Sequence, residues 1–301
     1  MRYVVTGGAG FIGSHLVRHI INEGHSVEII DNLHKGTKNN IKDVFEKINF
    51  HSIDIRDEKK LYDILKNCDG VFHEAALTSA PESFKIPKEY FDVNVNGTKK
   101  IFEIAKKVNL RVVYASSSSI YGNVKELPIK EDNAKNPINP YGKTKLEEEY
   151  LAQKFSLEGL EVIGLRYFNV YGKGQSGDYA GVITQFFENI KLKKPLIING
   201  DGNQIRDFIH VEDIVRANLI AMNSDVKNGF FNVGTGIGTS INDLAEIMID
   251  ISNYEMEPIH GSPLEGDIDL SQADVELIFS KLKWSSEIEL KDGLKKLIEP
   301  M

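Results

Sequence analysis

Over the first 165 residues, apolar positions alternate between two rhythms. Short β-branched runs (YVV, SVEII, INFHSI, GVFHEA, RVVYA and EVIGLR) are bounded by Gly, Asn or Asp. Between most of them lie segments whose apolar residues recur every three to four positions: FIGSHLVRHIINEG, DEKKLYDILKNC, EYFDVNVNGTKKIFEIAKKV and NPYGKTKLEEEYLAQKF. The first rhythm predicts buried strands and the second amphipathic helices. Their alternation predicts an α/β fold with a doubly wound parallel sheet. After FNVYG the pattern becomes irregular. A Gly-rich loop, GKGQSGDYAG, precedes a helix, then the turn INGDGNQ and a short strand, RDFIH. From about Phe231 strands, helices and Pro/Gly turns mix. With no internal repeat, low-complexity block or long linker, the second half reads as a smaller lobe interleaved with the first.

Bulk composition narrows the setting. A chain of 301 residues, 41% of them hydrophobic, can bury a substantial core. The net charge is -8 with the basic residues dispersed, so there is no footprint for nucleic acid or for an anionic membrane. A single cysteine, Cys68, excludes an intramolecular disulfide framework and fits a reducing compartment. No apolar stretch approaches the length of a membrane span, and the opening MRYVVTGG reads as a strand and turn, not as a secretory signal. The expected setting is cytoplasmic.

The first chemical motif is VVTGGAGFIGSH. Gly8, Gly10 and Gly13 satisfy G-x-G-x-x-G, and Gly7 adds the spacing Gly7, Gly10, Gly13. Such a turn needs residues without Cβ so that the backbone can approach a pyrophosphate and the helix can pack close to the strand. The helix N-terminus then offers amide donors to the phosphates. Here the motif follows a predicted strand and opens a helix, as a dinucleotide fingerprint requires. The second strand ends in Asp31, placed to take the adenosine ribose hydroxyls and to repel a 2′-phosphate, which favours NAD over NADP. Asp54, at the end of the third strand, is a candidate for the adenine amine, with a solvated loop acid as the ordinary alternative.

The second motif is YGKTK. Tyr141 and Lys145, four residues apart, share one helix face. A phenol ionises near pH 10. An adjacent ammonium stabilises the phenolate and brings it within reach of general acid–base work. About twenty residues earlier, a strand end carries YASSSSIYG, four serines without an acid among them.

Together these residues resemble the extended short-chain dehydrogenase/reductase family, and within it the NAD-dependent nucleotide-sugar epimerases and dehydratases. The resemblance runs through TGGAGFIGSH, DNL, HEAA, the N-V-N-G-T of Asn94 to Thr98, SSSSIYG, YGKTK, LRYFNVYG, GDGNQIRDFIHVEDI and NVGTG, and so covers nearly the whole chain. It implies a Rossmann-type domain over 1–168, with 205–230 returning to it, and a nucleotide-sugar lobe made of 169–204 and 231–301. It assigns catalysis to Ser117, Tyr141 and Lys145. It assigns NAD to Gly7, Gly10, Phe11, Ile12, Gly13, Asp31, Asn32, Asp54, Ile55, Ala75, Ala76, Thr78 and Asn94, with Tyr141 and Lys145 at the nicotinamide ribose. Metal is not expected.

The serine run selects within the family. Sugar 4,6-dehydratases carry an Asp and a Glu at the two positions after the catalytic Ser or Thr, and UDP-glucuronate decarboxylases carry a Glu at the second. Here these are Ser118 and Ser119, and a hydroxyl cannot protonate a leaving hydroxide as a carboxylic acid does. The resemblance therefore implies an NAD-dependent 4-epimerase that oxidises C4 of a UDP-sugar and returns the hydride to the other face. UDP-glucose and UDP-galactose are the first substrates expected. Alternatives on the same scaffold are a nucleotide-sugar reductase or dehydrogenase, a UDP-glucuronate 4-epimerase and, least favoured, a non-catalytic NAD-binding regulator.

The resemblance assigns the nucleotide sugar to Ser79, Ser117, Ser118, Ser119, Asn169, Arg206 and Ser271. Arg206 matches a diphosphate ligand, against the plainer option of a salt bridge with a neighbour such as Asp207. Many relatives hold a second arginine where PLEGDI puts Leu264; Lys173 is a possible substitute. Ser271 stands where some 4-epimerases have a bulky tyrosine, so a small residue implies room for the N-acetyl group of UDP-GlcNAc and UDP-GalNAc. The remaining residues have blander expectations. His15 and His19 pack a helix, Asp207 and Asp213 fix a loop and cap a helix, and Trp284 anchors the C-terminal lobe. Glu147 to Glu149 form a solvated helix face. The catalytic helix and a helix over 87–108 supply a family-based homodimer contact.

Overall fold

The computed structural model describes residues 1–175, 181–263 and 266–298. Its first six strands are β1 (Arg2–Thr6), β2 (Ser26–Ile30), β3 (Ile48–His51), β4 (Gly70–His73), β5 (Arg111–Ser117) and β6 (Val162–Tyr167). There follow β7 (Asn169–Tyr171), β8 (Ile197–Asn199), β9 (Ile205–Arg206), β10 (Phe208–His210), β11 (Asn228–Val233), β12 (Thr239–Ser240) and β13 (Ile259–Gly261). Seven of them form one sheet in the order β3-β2-β1-β4-β5-β6-β11, and every neighbouring pair is parallel. Strand order reverses between β1 and β4, which opens a crevice beyond the carboxyl ends of the strands, where such sheets bind ligands.

The helices are α1 (Phe11–Asn22), α2 (Glu58–Leu65), α3 (Ala80–Lys85), α4 (Pro87–Tyr90), α5 (Gly97–Lys107), α6 (Pro140–Leu157), α7 (Val182–Lys191), α8 (Val211–Asn223), α9 (Ile241–Ser252), α10 (Glu276–Leu282) and α11 (Leu290–Ile298). Leu16, Val17 and Ile20 of α1 and Ile214 and Val215 of α8 cover one face of the sheet. Leu61 and Leu65 of α2, Ile101 and Phe102 of α5 and Phe155 of α6 cover the other. Both faces being apolar, the strands read as near-continuous hydrophobic runs, and each buried side chain of this size contributes roughly 1.5–3 kcal/mol. No helix among the described residues is long and apolar enough to cross a membrane.

A third apolar cluster joins Ile183 and Phe186 of α7, Leu244 and Met248 of α9 and Leu294 of α11. Around it run three two-stranded ladders: β7–β10 and β8–β13, both parallel, and β9–β12, antiparallel. The C-terminal segment divides between the two cores. Ile278, Leu282 and Trp284 pack into the cluster under α1 and α8, and the Trp284 indole N–H donates to the Asp213 carbonyl at 3.2 Å. Trp284 thus anchors the chain to the large sheet, not to the third cluster. The Asp213 carboxylate caps the backbone N–H groups of Glu287 and Ile288 at 3.1 Å each.

The expected helix over 87–108 is not continuous. It comes as α4, a π-helical stretch Phe91–Asn96, and α5. The widened turn carries Asn94, which is fully buried.

Candidate functional site

The crevice at the strand ends is a single cleft of about 700 Å³, within the usual range of small-molecule sites. On one side it is floored by the glycine turn. Gly7 has φ +69°, and a Cβ there would come within 2.8 Å of the Ala75 nitrogen. At Gly13 a Cβ would fall 2.2 Å from the Gly7 carbonyl oxygen. Only glycine permits this path. The N-terminus of α1 has no side-chain cap, so its first amides face outward as donors. Asp31, buried at the end of β2, is held by the Ala9 N–H at 3.0 Å and the Leu33 N–H at 2.7 Å. Burial raises its pKa and these two backbone donors oppose the rise. Open amides, a Cβ-free turn and a fixed carboxylate fit a dinucleotide such as NAD.

Every residue assigned above to cofactor or sugar lines this cleft, except Asn94. Asn94 is pinned instead to the loop after β4: its Oδ1 accepts from Leu77 N at 2.8 Å and its Nδ2 donates to the Leu77 carbonyl and to Thr144 Oγ1, each at 3.0 Å. It braces the wall from behind and is not among the residues that line the cavity. Leu264 lies outside the described residues. Lys173, the suggested substitute for a second diphosphate ligand, is exposed and is not among the cleft residues.

Asp54 lines the cleft, but its lone pairs are occupied. Oδ1 accepts from Arg56 N and Nε at 2.9 and 2.8 Å, and Oδ2 from Arg56 Nη2 and Asn32 Nδ2 at 2.7 and 3.1 Å. A carboxylate has about four such sites, so this arrangement leaves none for an adenine amine. The Arg56 guanidinium lowers the Asp54 pKa to about 2. Arg56 itself faces the cleft and also pairs with Asp92 at 2.7 Å. Nothing in its sequence pattern singles it out beyond its place two positions after Asp54.

At the end of β5, Ser117 Oγ accepts from the Ser119 N–H at 3.2 Å and the Ser119 hydroxyl at 2.9 Å. Its hydroxyl lines the cleft and can donate to or accept from a ligand there. The Ser116 hydroxyl, by contrast, is committed: it donates to Glu149 Oε1 at 2.7 Å. Helix α6 starts beside this turn: Asn139 caps it by accepting from Gly142 N at 2.8 Å, Pro140 occupies its first turn, and a Cβ on Gly142 would lie 2.7 Å from the Ser119 carbonyl. The cap fixes Tyr141 and Lys145 against the serine turn.

Lys145 is buried, and its Nζ donates to the Ala115 carbonyl and to Glu148 Oε2, each at 3.0 Å. Burial works against its charge, but Glu148, Tyr141 and Glu74 together keep its pKa above that of a free lysine. This corrects the reading of Glu147 to Glu149 as a solvated face. Glu147 is exposed, whereas Glu148 and Glu149 are each 1% exposed. Glu149 holds Arg166 through two contacts of 2.8 Å. The buried side of α6 is charged and internally neutralised, so apolar periodicity could not reveal it.

Glu74, at the mouth of β4, also lines the cleft. Burial raises its pKa to about 7. It accepts from the Tyr167 hydroxyl at 2.9 Å, which in turn accepts from Asn218 Nδ2 at 2.7 Å. The neighbouring His73 is wedged between Thr6 Oγ1 at 2.6 Å and Thr98 Oγ1 at 2.8 Å. Burial lowers its pKa to about 3, so it is neutral and structural.

The opposite wall comes from short ladders. Asn169 opens β7, and its N–H donates to the Asp207 carbonyl at 2.9 Å. Arg206, in β9, reaches Asp267 Oδ1 at 2.5 Å, so its ionic neighbour is Asp267 and not Asp207. Asp207 is structural: it accepts from Thr235 N at 2.8 Å, Gly236 N at 2.9 Å and Ala273 N at 3.1 Å. Ser271 is 4% exposed and its N–H donates to the Ile205 carbonyl at 3.0 Å. His15 and His19 close on Glu212 of α8, His15 at 2.6 Å, and no cluster among the described residues could hold a metal.

Comparison with known proteins adds the following. The model of the NAD dependent epimerase/dehydratase family matches residues 3–234. A UDP-glucose 4-epimerase of Lactobacillus helveticus is 34% identical over 316 residues, which span 98% of this chain and 94% of that protein. The crystal structure of UDP-glucose 4-epimerase from Thermotoga maritima with UDP-glucose is 36% identical, with a TM-score of 0.95, covering 99% of this chain and 98% of that one. UDP-N-acetylglucosamine 4-epimerase from Methanobrevibacter ruminantium, in complex with UDP-N-acetylmuramic acid, is also 36% identical with a TM-score of 0.95, covering 99% and 97%.

Proposed function

Because the chain belongs to the NAD-dependent epimerase/dehydratase family, we propose that it is an NAD-dependent 4-epimerase of a UDP-sugar. The observation that carries this reading is the serine turn. Ser117, Tyr141 and Lys145 share one cleft, and the two positions after Ser117 bear hydroxyls where elimination chemistry needs carboxylic acids. The cleft carboxylates Glu74 and Asp267 are already engaged, by Tyr167 and Arg206.

NAD, when bound, would supply the reversible hydride transfer at C4 of the sugar that inversion at that carbon needs. Gly7, Gly10 and Gly13, with Phe11, Ile12, Asp31, Asn32, Ile55, Ala75, Ala76 and Thr78, hold it. Tyr141 takes the proton from the 4-hydroxyl and later gives it back. Ser117 hydrogen-bonds the same oxygen and keeps it in line with Tyr141. Lys145 supplies positive charge beside the phenolate. Arg206 and Asn169 hold the diphosphate side, and Ser79, Ser118, Ser119 and Ser271 surround the sugar, which must turn while the nucleotide stays in place. The cofactor domain is 1–168 with 205–230 returning to it, and 169–204 and 231–301 make up the sugar lobe.

Ser271 leaves room beside C2, so UDP-GlcNAc and UDP-GalNAc join UDP-glucose and UDP-galactose as substrates. The enzyme works in the cytoplasm, a setting supported by its single cysteine, Cys68. It works as a homodimer through the helices around α5 and α6, where Phe91 and Tyr150 are exposed; light scattering should then give twice the chain mass of 33.8 kDa.

The deciding experiment is an NMR time course of the purified protein with UDP-glucose and UDP-GlcNAc in separate tubes, without added NAD and then with it. Appearance of the C4 epimer with no net NADH is the expected result. Persistence of both substrates after NAD is added overturns the assignment.

A further inference from the structure

Lys145 belongs to a buried ion pair on α6. Glu148 follows Lys145 by three positions, and the two side chains are 1% and 4% exposed. Oε2 accepts from Lys145 Nζ at 3.0 Å, and the Ala115 carbonyl accepts from the same Nζ at 3.0 Å. An ammonium has three donors, so only one remains for a ligand or for the region of Tyr141. The other oxygen, Oε1, is buried without a hydrogen-bond partner. A carboxylate left half-satisfied in this way is costly, and its position is explained by what it does to Lys145.

The other groups around the pair are accounted for. From β4 come His73, held neutral by burial, and Glu74, which accepts from Tyr167. From β5 comes Tyr114, whose burial raises its pKa well above that of a free phenol. On α6 itself Glu149 is matched by Arg166 of β6, and Tyr141 stands one turn before Lys145. Glu148 is therefore the direct counter-charge of Lys145.

We infer that Glu148 is a positioning residue of the proposed epimerase: it holds Lys145 Nζ at the end of β5 and, by offsetting its charge, sets how readily Tyr141 releases its proton. This rests on the acid–base role proposed for Tyr141. A bare ammonium favours a nearby phenolate more strongly than an ammonium neutralised by a carboxylate. Burial pushes the Glu148 carboxyl up while Lys145 pulls it down.

The test is an ultraviolet pH titration of the phenolate band in the NAD-bound enzyme, for the wild type and E148Q, each corrected by subtracting its Tyr141→Phe counterpart. Glutamine keeps the acceptor for Lys145 and removes the charge. The Tyr141 midpoint is expected to fall by about one pH unit in E148Q, and the acid limb of the kcat profile to move the same way. E148M, of similar size, is expected to shift it in the same direction and serves if E148Q does not fold by circular dichroism. An unmoved midpoint, with or without a loss of rate, reduces Glu148 to a structural residue and overturns the inference. If the wild type has no Tyr141 band, the acid–base role of Tyr141 itself fails, and this inference with it. Failure to turn over UDP-sugars while the midpoint shifts would count against the substrate reading alone and leave the Glu148 inference standing.

Discussion

The two walls of the cleft are built in opposite ways. The wall proposed for NAD is made at the carboxyl ends of adjacent parallel strands, and its residues arrive in chain order: the glycine turn after β1, Asp31 after β2, Asp54 after β3 and Ala75 after β4. The wall proposed for the sugar is gathered from Asn169, Arg206, Asp267 and Ser271, held by ladders two or three residues long. Tyr141 and Lys145 stand between them on α6. The first wall is fixed by local backbone geometry, whereas the second depends on pairings across long stretches of chain. Perturbing each wall should therefore damage a different step.

The largest effect is expected where the walls meet. Tyr141→Phe removes the proton acceptor and should lower kcat by about 10³-fold, while NAD bound per chain, measured after denaturation, stays unchanged. A parallel loss of bound NAD would mean that Tyr141 belongs to the cofactor wall first.

Gly13→Ala should act on the cofactor wall alone. Its Cβ would meet the Gly7 carbonyl at 2.2 Å, a backbone atom that cannot step aside. Overpacking of this kind costs roughly 1–3 kcal/mol, so NAD affinity by calorimetry should fall about 10- to 100-fold. An alanine variant with normal affinity would show that the turn relaxes and that the pyrophosphate does not depend on it. Arg206→Met should act on the sugar wall alone. It removes a charged donor from the nucleotide and leaves Asp267 without its partner, so KM for the UDP-sugar should rise about tenfold with NAD retention unaffected. An unchanged KM would leave Arg206 as the partner of Asp267 and nothing more.

The same contrast explains what was legible in the sequence. Strand–helix alternation, the glycine turn and the Tyr141–Lys145 spacing are local signals, and the sheet and the cofactor wall follow from them. Arg206 could be singled out, but not its pairing with Asp267, because nothing local ties positions 206 and 267 together. A buried amide that pins a loop, as Asn94 does, and one that faces a ligand have the same sequence signal. Glu148 and Glu149 were misread for a related reason. A run of three glutamates looks solvated unless one knows that Lys145 and Arg166 wait beneath it. Periodicity reports apolar burial and is blind to charges buried in pairs.

The smallest expected effect separates structure from binding within the cofactor wall itself. Asp54 pairs with Arg56, which lowers its pKa from an unfolded value near 3.9 to about 2. A carboxylate depressed in this way contributes stability above pH ~4 and loses it as the pH falls toward its folded value. Both side chains are about a third exposed (28% and 37%), so screening limits the contribution to roughly 0.5–1 kcal/mol. Asp54→Asn should therefore be slightly less stable than the wild type at pH 7 in urea, and the gap should close as the pH nears 2. Arg56 keeps Asp92 in the variant, which also holds the loss down. Because every lone pair of Asp54 is engaged within the protein, NAD affinity should change by less than about threefold. A larger loss of affinity would mean that Asp54 gives up Asn32 or Arg56 to reach the adenine. The cofactor wall would then rearrange around its ligand.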